Sequence, residues 1–443
     1  MAKKKQIELT IEEKLQNALV PKEEQPYKIP SNWCWTYIHN IAIVVTGKTP
    51  SKKNKEYYGG KFPFFKPADL DAGRNMQYAT EYLSEKGKSI SVIIPEKATG
   101  ICCIGTIGKC GYFLVEGTTN QQINTVISKI NPLYSYYFFN TNSFVRELIF
   151  KASATTIAIV NKSKLESCLF PVAPLNEQQR IVNIIESLFV KLDRAKELIE
   201  NTLAQFEQNK MAILHKAFTG ELTVKWRKEN NIDLSSWKKC ELKEVFKVVK
   251  DKYNPQTENQ IVNYIGLENI ETSKGIISKS NSSEVKSIKT KFKKDDVLYG
   301  KLRPYLNKHD VVNFDGICST DILVFRFNDI NTAKYINYYF NLPMFIQYAV
   351  ENSSGINLPR VSEKTISKYK ISLPTIEEQQ EIVNILDNLL AKYNKIKNLE
   401  QQLEKIELLK KAILAKVFRG ELGTNNPDEE SAENLLKEIL AEK

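Results

Sequence analysis

The sequence lacks any long apolar run, and this absence argues against a helical membrane protein. No stretch approaches the roughly 18 consecutive apolar residues that a membrane-spanning helix needs. Lys3, Lys4 and Lys5 lie near the start, but the apolar stretch of a signal peptide does not follow them. We therefore expect a cytoplasmic protein.

Cysteine and histidine are too few and too scattered to predict a metal site. The seven cysteines include no CxxC pair, and their odd number argues against a disulfide framework. The three histidines, His39, His215 and His309, lie far apart and lack the spacing of metal ligands. We expect no metal and no other cofactor.

Motifs of common nucleotide-binding enzymes are also missing. Residues 100–105 have the glycine spacing of a phosphate-binding loop, but Thr106 stands where that loop needs lysine. No glycine-rich turn links a strand to a helix as an S-adenosylmethionine or dinucleotide site would require. Asp295, Asp296 and Glu268 suggest a metal-dependent nuclease, but no lysine follows at motif spacing. We therefore predict that the chain is not an enzyme.

Positive charge is what the sequence has in excess. The net charge is +11, although residues 428–443 hold six acidic and two basic side chains and so contribute −4. The remainder therefore carries +15. Such an excess favours a polyanionic partner, because phosphates that bind Lys or Arg release condensed counterions. The alternative is a basic surface that is merely soluble.

The chain also repeats itself. Residues 177–184, Glu-Gln-Gln-Arg-Ile-Val-Asn-Ile, return at 378–385 as Glu-Gln-Gln-Glu-Ile-Val-Asn-Ile, an offset of 201 residues. Residues 218–222 return at 418–422, an offset of 200, so one residue is lost between the two ends. A repeat of this length predicts a duplicated fold.

Each copy has the pattern of a long helix. Apolar residues recur at spacings of four and three over 181–213 and 382–413, as in a coiled-coil seam. A proline precedes each helix, and Gly220 and Gly420 lie where a helix C-cap belongs. Two such seams most simply pack against each other as an antiparallel pair. The alternative is that each helix packs on its own globular domain.

Two segments of similar length, residues 27–173 and 224–373, precede the helices. β-branched and aromatic runs such as 38–45, 90–94 and 317–327 alternate there with Gly, Asn and Pro, which is typical of strands and turns. The predicted fold class is α+β. Two mixed α/β domains are separated by two long helices that pair as an antiparallel coiled coil, with pseudo-two-fold symmetry.

Motifs in both segments resemble those of a known family. The first segment carries Gly-Lys-Thr-Pro-Ser at 47–51, Phe-Phe-Lys-Pro-Ala-Asp-Leu at 64–70 and Gly-Thr-Ile-Gly-Lys at 105–109. The second carries Tyr-Ile-Gly-Leu-Glu-Asn-Ile at 264–270 and Tyr-Gly-Lys-Leu-Arg-Pro-Tyr-Leu at 299–306. Their order, followed each time by the Glu-Gln-Gln helix, resembles the specificity subunits of type I restriction-modification systems over nearly the whole chain.

The resemblance implies a division of the chain and a role for each part. The parts are an N-terminal segment (1–26), a first target recognition domain (27–173), a first helical spacer (174–223), a second target recognition domain (224–373), a second helical spacer (374–422) and an acidic tail (423–443). Each recognition domain would read one half of a bipartite site in double-stranded DNA.

The resemblance also implies partners. The helices would set the spacer between the half-sites and dock two methyltransferase subunits that modify adenine, and ATP-dependent restriction subunits would join for cleavage. The alternatives are a coiled-coil scaffold, or a methyltransferase or nuclease component with its own activity.

Side chains that contact DNA are expected in polar loops, because Arg and Lys suit guanine and phosphate while Asn and Gln suit adenine. The candidates in the first segment are Lys48, Ser51, Lys52, Lys53, Lys55, Tyr57, Lys66, Lys109, Asn120 and Gln121. The candidates in the second are Lys301, Arg303, Tyr305, Lys308 and Arg360. A solvated loop tip is the alternative for 52–55, and a structural ion pair is the alternative for Arg360.

Polar residues on the outward helix faces are candidates for docking the methyltransferase subunits. They are Gln179, Arg180, Lys191, Arg194, Lys392 and Lys395. A solvated coiled-coil face is the alternative. The acidic tail has apolar residues at helical spacing within 435–440, and we expect it to dock either on a partner or on the segment 7–19.

Overall fold

A computed structural model describes residues 9–153, 158–258, 260–272, 274–396 and 398–442, without the side chains at 284, 390 and 392–398. The chain divides into two compact units. Unit 1 ends at Leu198 and resumes at Gln402, whereas unit 2 is the stretch Ile199–Gln401. Each unit therefore combines one predicted recognition segment with the first part of one long helical segment and the last part of the other.

The segment before the first long helix forms a mixed α/β domain in unit 1. Its helices are α1 (Ile11–Ala18), α2 (Ile38–Ile41), α3 (Glu85–Ser89), α4 (Pro132–Phe139), α5 (Asn142–Lys151) and α6 (Lys162–Glu166). Its strands are β1 (Cys34–Tyr37), β2 (Ala42–Thr46), β3 (Tyr58–Phe65), β4 (Glu81–Leu83), β5 (Thr99–Cys102), β6 (Cys110–Tyr112), β7 (Thr118–Thr119), β8 (Ile123–Ser128) and β9 (Leu169–Val172). They pair in the orders β2-β8-β5-β6, β4-β3-β7 and β1-β9.

The first long helix, α7 (Leu175–Thr219), begins after Pro174 and stops before Gly220, as predicted. Gly220 has φ +83°, a left-handed conformation that glycine adopts without a Cβ clash. The backbone N–H of Leu222 donates to the carbonyl of Lys216 at 2.9 Å and closes the helix end. Among the described residues, no helix has the length and apolar character needed to cross a membrane.

Unit 2 repeats the mixed architecture with shorter strands. Its further helices are α8 (Val224–Glu229), α9 (Ile330–Tyr339), α10 (Pro343–Glu351) and α11 (Glu363–Ser367). Its strands are β10 (Lys238–Glu241), β11 (Lys247–Val248), β12 (Lys252–Tyr253), β13 (Asn263–Ile265), β14 (Ile270–Glu271), β15 (Gly275–Ile276), β16 (Ser280–Asn281), β17 (Lys289–Phe292), β18 (Val297–Gly300), β19 (His309–Val311), β20 (Gly316–Cys318), β21 (Ile322–Arg326) and β22 (Lys370–Leu373). The strand orders are β11-β21-β18-β19, β12-β17-β20-β13-β16, β14-β15 and β10-β22.

The chain ends in helices α12 (Ile376–Ile396), α13 (Asn398–Val417) and α14 (Ala432–Ala441). The acidic tail forms α14, whose buried face joins the same core cluster as α1. Lys437 also pairs with Glu12 at 3.0 Å. The sequence left two docking sites open for the tail, a partner or the N-terminal segment. In the structure, α14 packs on the N-terminal segment.

The helix ends that meet in unit 1 are joined by ion pairs. Lys410 pairs with Asp193 at 2.5 Å, and Lys196 pairs with Glu407 at 3.2 Å. The partner number falls as the residue number rises, which is the antiparallel sense. Coiled-coil pairing of the complete helices stays a prediction.

Two predicted strand runs were partly wrong. Residues 38–41 form helix α2, and only 42–46 continue as strand β2. Ile38 and Ile41 are both buried at a helical spacing, and Asn40 donates its amide to Thr36 Oγ1 at 3.1 Å. The run 90–94 contributes only a single bridge at Ile94. Tertiary contacts therefore overrode strand propensity at both places.

The repeated Glu-Gln pair explains why the two units share a frame. In unit 1 the fully buried carboxylate of Glu177 accepts three hydrogen bonds, from Trp33 Nε1 (2.8 Å), Thr424 Oγ1 (3.0 Å) and Asn425 Nδ2 (3.0 Å). A buried carboxylate needs such donors because it has lost its water. The start of α7 is thereby tied to the segment that follows α13.

Unit 2 contains the reciprocal arrangement. The buried carboxylate of Glu378 accepts hydrogen bonds from Trp237 Nε1 (2.8 Å), Thr223 Oγ1 (2.6 Å) and Arg227 Nη1 (2.5 Å). The start of α12 is thereby tied to the segment that follows α7. We call these two sets of contacts the glutamate clamps of unit 1 and unit 2.

The two clamps differ in charge, and this difference predicts a difference in stability. Glu378→Gln leaves the Arg227 side chain, which is 8% exposed, without its carboxylate. Breaking a buried ion pair from one side costs about 3–5 kcal/mol of unfolding free energy. Glu177→Gln disturbs contacts with an indole, a hydroxyl and an amide, and should cost about 1–2 kcal/mol. Hydrogen exchange measured separately over unit 1 and unit 2 checks both values, and equal losses would contradict the prediction.

His309 holds the turn that precedes β19. Its Nδ1 donates to Asn337 Oδ1 at 2.7 Å, and its Nε2 accepts from Asn307 Nδ2 at 3.1 Å. Both bonds are satisfied by the neutral imidazole. Burial penalises the charged ring and lowers the pKa of His309 to about 4.

Unit 2 should therefore lose stability in mild acid. The unfolded chain binds a proton on His309 near pH 6.5, whereas the folded chain binds it only near pH 4. The unfolding free energy thus falls as the pH drops through this window, by up to about 3 kcal/mol. In urea unfolding measured between pH 7 and 4.5, His309→Gln should flatten the slope of the unfolding free energy against pH. An unaltered slope in His309→Gln would contradict the assignment.

Candidate DNA interface

Two loops of unit 1 that the sequence singled out lie side by side. The Lys48 N–H donates to the carbonyl of Thr119 at 2.9 Å, and Thr49 Oγ1 donates to Gln121 Oε1 at 2.5 Å. A Cβ on Gly47 would lie 2.2 Å from Thr119 Oγ1, so only glycine permits this approach. Lys48 and Gln121 are both exposed at this junction.

Asn120, between these residues, is used inside the loop. It is 7% exposed, and its Nδ2 donates to Gln122 Oε1 at 2.9 Å while its Oδ1 accepts from the Gln122 N–H at 3.1 Å. Asn120 therefore shapes the loop and leaves its neighbour Gln121 facing solvent.

The basic loop that follows is presented on a braced stem. Tyr58 Oη donates to the carbonyl of Pro50 at 2.6 Å, and the Asn54 side chain accepts from the Glu56 N–H at 3.1 Å. The exposed members of this loop are Ser51, Lys52, Lys53 and Lys55, while Tyr57 is half-buried. Within the described part of the chain, none of the three lysines forms an ion pair, so their charges face water.

Lys66 and Lys109 are engaged in ion pairs. Lys66 lies 2.6 Å from Glu81, and Lys109 lies 2.6 Å from Asp71. Both lysine side chains are largely covered. The structure therefore separates these two candidates from the free lysines of the loop at 51–55.

In unit 2 the motif at 299–306 leads into a loop that is hydrogen-bonded to a hairpin at residues 354–360. Leu302 bridges Arg360, the Arg303 N–H donates to the carbonyl of Pro359 at 2.7 Å, and the Val361 N–H donates to the carbonyl of Lys301 at 3.0 Å. Arg303 has φ +52°, a conformation that non-glycine residues seldom adopt. Its side chain is exposed, and no described residue pairs with it.

The other candidates of unit 2 surround this loop. Lys301 and Arg360 share the carboxylate of Asp321, at 3.9 and 3.1 Å. Lys308 donates to the carbonyl of Leu267 at 2.7 Å. Tyr305 is 52% exposed. The structure therefore brings all five predicted residues of this domain to one region, with Arg303 the least engaged.

The same junction occurs in unit 1. Ile104 bridges Ile159 there, as Leu302 bridges Arg360, and the Val160 N–H donates to the carbonyl of Cys103 at 2.9 Å. The motifs at 105–109 and 299–306 thus occupy corresponding places although their side chains differ. The apolar tip of the unit 2 hairpin, Ile356, was missed by sequence analysis. The only signal for it is the Gly and Pro that flank the tip.

Three of the helix-face candidates make contacts within unit 1. Arg180 makes a double ion pair with Glu429, at 2.6 and 2.7 Å, and Gln179 accepts from the side chain of Asn131. Arg194 pairs locally with Glu197, and Lys191 is exposed. The side chains of Lys392 and Lys395 lie outside the described residues.

Of the acidic residues that suggested a nuclease, Asp296 is held in a structural ion pair. Asp296 is buried and accepts two hydrogen bonds from Arg326, at 2.7 and 2.6 Å. Over the described ranges, no three His, Cys, Asp or Glu residues are grouped to hold a metal. All seven cysteines are buried and unpaired, and burial raises the pKa of Cys34 and Cys318 to about 12. Such thiols are poor nucleophiles.

Comparison with known proteins gives a consistent result. The family "type I restriction modification DNA specificity domain" matches residues 30–207 and again 235–408. The EcoDI specificity subunit of Escherichia coli is 24% identical, over 94% of this chain and 96% of that protein. The MjaIX specificity subunit of Methanocaldococcus jannaschii is 25% identical, over 90% and 96%.

Solved structures share the fold. One from work on complex assembly and conformational transition of the type I restriction-modification system matches with a TM-score of 0.67 at 17% identity, over 90% of this chain and all of that one. The HsdS subunit of Thermoanaerobacter tengcongensis matches with a TM-score of 0.54 at 18% identity, with the same coverage. The prediction of mixed α/β domains with long helices is thereby confirmed. The chain belongs to the family of type I restriction-modification specificity subunits, which recognise DNA and are not themselves enzymes.

Proposed function

We propose that this chain reads a bipartite site in double-stranded DNA, with the domain at 27–173 on one half-site and the domain at 224–373 on the other. The observation that carries the proposal is that each unit presents unpaired cations on a braced loop, Lys52 and Lys53 in unit 1 and Arg303 in unit 2. Bracing reduces the entropy cost of docking a loop on phosphates or bases.

The helical spacers at 174–223 and 374–422 set the distance between the half-sites and dock two methyltransferase subunits. ATP-dependent restriction subunits join that complex, which acts in the cytoplasm. Among the helix-face candidates, exposed Lys191 suits a partner best, because Arg180 already pairs with Glu429 and Arg194 with Glu197. The tail at 423–443 has a structural role, since it closes the clamp of unit 1.

A scaffold without a DNA role, or a component with its own methyltransferase or nuclease activity, is not favoured by the comparisons. Sequencing of methylated adenines in the source genome, with and without this gene, tests the proposal. A split motif that disappears with the gene supports it. Methylation that does not depend on the gene contradicts it, as does methylation by the purified chain alone.

Arg303→Ala should change which bases the complex accepts in one half of the split motif. An arginine that contacts guanine contributes about 1–3 kcal/mol of discrimination, so the complex should bind its site about 5- to 150-fold more weakly and accept other bases at one position. The measurement is equilibrium binding of the complex with its methyltransferase subunits to duplexes that vary each half-site in turn.

The matched control for Arg303→Ala is Lys225→Ala, because Lys225 is an exposed cation of the same unit on α8. This control should bind like the wild type. Arg303 is not a base-reading residue if its replacement weakens binding to every duplex equally.

The lysines of unit 1 should act on phosphates. The triple variant K52A/K53A/K55A should weaken binding to all sequences and lower the slope of log affinity against log salt by about one for each phosphate that is no longer bound. A control triple variant at exposed Lys22, Lys225 and Lys228 carries the same charge change elsewhere. If both triple variants change the slope equally, net charge explains the effect and the loop is not a contact surface.

A further inference from the structure

The hairpin beside Arg303, residues 354–360, is closed by a single backbone bridge. Ser354 and Arg360 exchange both backbone hydrogen bonds, at 2.9 and 2.8 Å. Gly355 turns the chain with φ +102°, and the carbonyl of Pro359 is held by the Arg303 N–H. Only five residues lie between the paired positions, so the tip has little freedom to fold back onto the domain.

The tip carries apolar side chains into solvent. Ile356 is 100% exposed, and Leu358 is 44% exposed. Two arginines flank the base of the hairpin: Arg303, which pairs with no described residue, and Arg360, which pairs with Asp321 at 3.1 Å. A fully exposed isoleucine on a braced projection between cations has no role in the core of unit 2. Its surroundings instead suit a ligand that is anionic on the outside and apolar within.

Double-stranded DNA has that character, and its major groove has matching dimensions. The groove is about 12 Å wide and 8.5 Å deep and admits a two-stranded ribbon. The tip lies two residues beyond the paired stem, which is roughly 7 Å at 3.3 Å per residue. If the base of the hairpin lies at the level of the phosphates, the tip therefore reaches the base edges.

Two apolar surfaces of DNA compete for the isoleucine. One is the C5-methyl group of thymine on the groove floor, and the other is the face of a base pair, which is reached only by unstacking. Unstacking costs a few kcal/mol per step, whereas burying one isoleucine gains about 1.5–3 kcal/mol. Contact with the methyl group requires no unstacking and is therefore the better match.

We propose that the hairpin at 354–360 enters the major groove of the second half-site and that Ile356 reads a thymine by contact with its C5-methyl group. This inference rests on the proposed function and adds a residue that determines specificity. The half-site read by unit 2 is identified beforehand as the half whose recognition changes in Arg303→Ala.

The test replaces each thymine of that half-site by uracil, which removes only the methyl group. The wild-type complex with its methyltransferase subunits should bind about fourfold more weakly at one position, the value for one buried methyl group. Ile356→Ala should bind the thymine duplex at least about fourfold more weakly than the wild type and show no further decrease with uracil. The control Ile261→Ala, at an exposed isoleucine of the same unit, should keep the full uracil effect.

Four outcomes overturn the inference. They are a half-site without thymine, a wild-type complex that is insensitive to uracil throughout, rescue of Ile356→Ala by a mismatched duplex, and failure of Ile356→Ala to assemble with the methyltransferase subunits. Mismatch rescue would indicate unstacking, and failed assembly would indicate that the hairpin contacts protein. A complex that binds all duplexes equally would instead contradict the proposed function itself.

Discussion

A carboxylate buried at the start of each long helical segment is the constraint on which the rest of the structure depends. Glu177 and Glu378 have no water to solvate them, so each must find its donors within the protein. The donors come from the tryptophan before the first strand of the β1-β9 or β10-β22 pair and from the segment after the opposite helix. A single side chain thus fixes a strand, a helix start and a helix end together.

Much of this frame was predictable, because it depends on side chains with few alternatives. The proline and glycine at the helix ends predicted the limits of α7, and the Glu-Gln-Gln repeat predicted a duplicated fold but not the hydrogen-bond partners of its two glutamates. The error at 38–45 has a different source. Its β-branched residues favour a strand, but the buried amide of Asn40 and the apolar spacing of its neighbours stabilise a helical turn that only tertiary contacts select.

The interface was predictable as a set of loops but not as a set of available side chains. Sequence alone did not distinguish Lys52, whose charge is free, from Lys109, whose charge is held by Asp71 from a distant segment. Asparagine is a residue type that suits a base edge, but the side-chain amide of Asn120 is hydrogen-bonded to Gln122. Arg303 is displayed because its backbone takes a left-handed conformation, which is imposed by the bonded hairpin and leaves no mark in the residue type.

The reciprocal clamps also determine the order in which the two units can complete their folding during translation. Everything that unit 2 needs lies within one uninterrupted stretch, so this unit is complete once the ribosome has released Gln401. Unit 1 contains the residues that are translated first, yet its core includes Phe418 and Leu436. The Glu177 carboxylate can form its hydrogen bonds with Thr424 and Asn425 only after these residues have been translated. The part of the chain that is translated earliest is therefore the last to close. Until then it exposes apolar surface on which a nascent-chain chaperone could act.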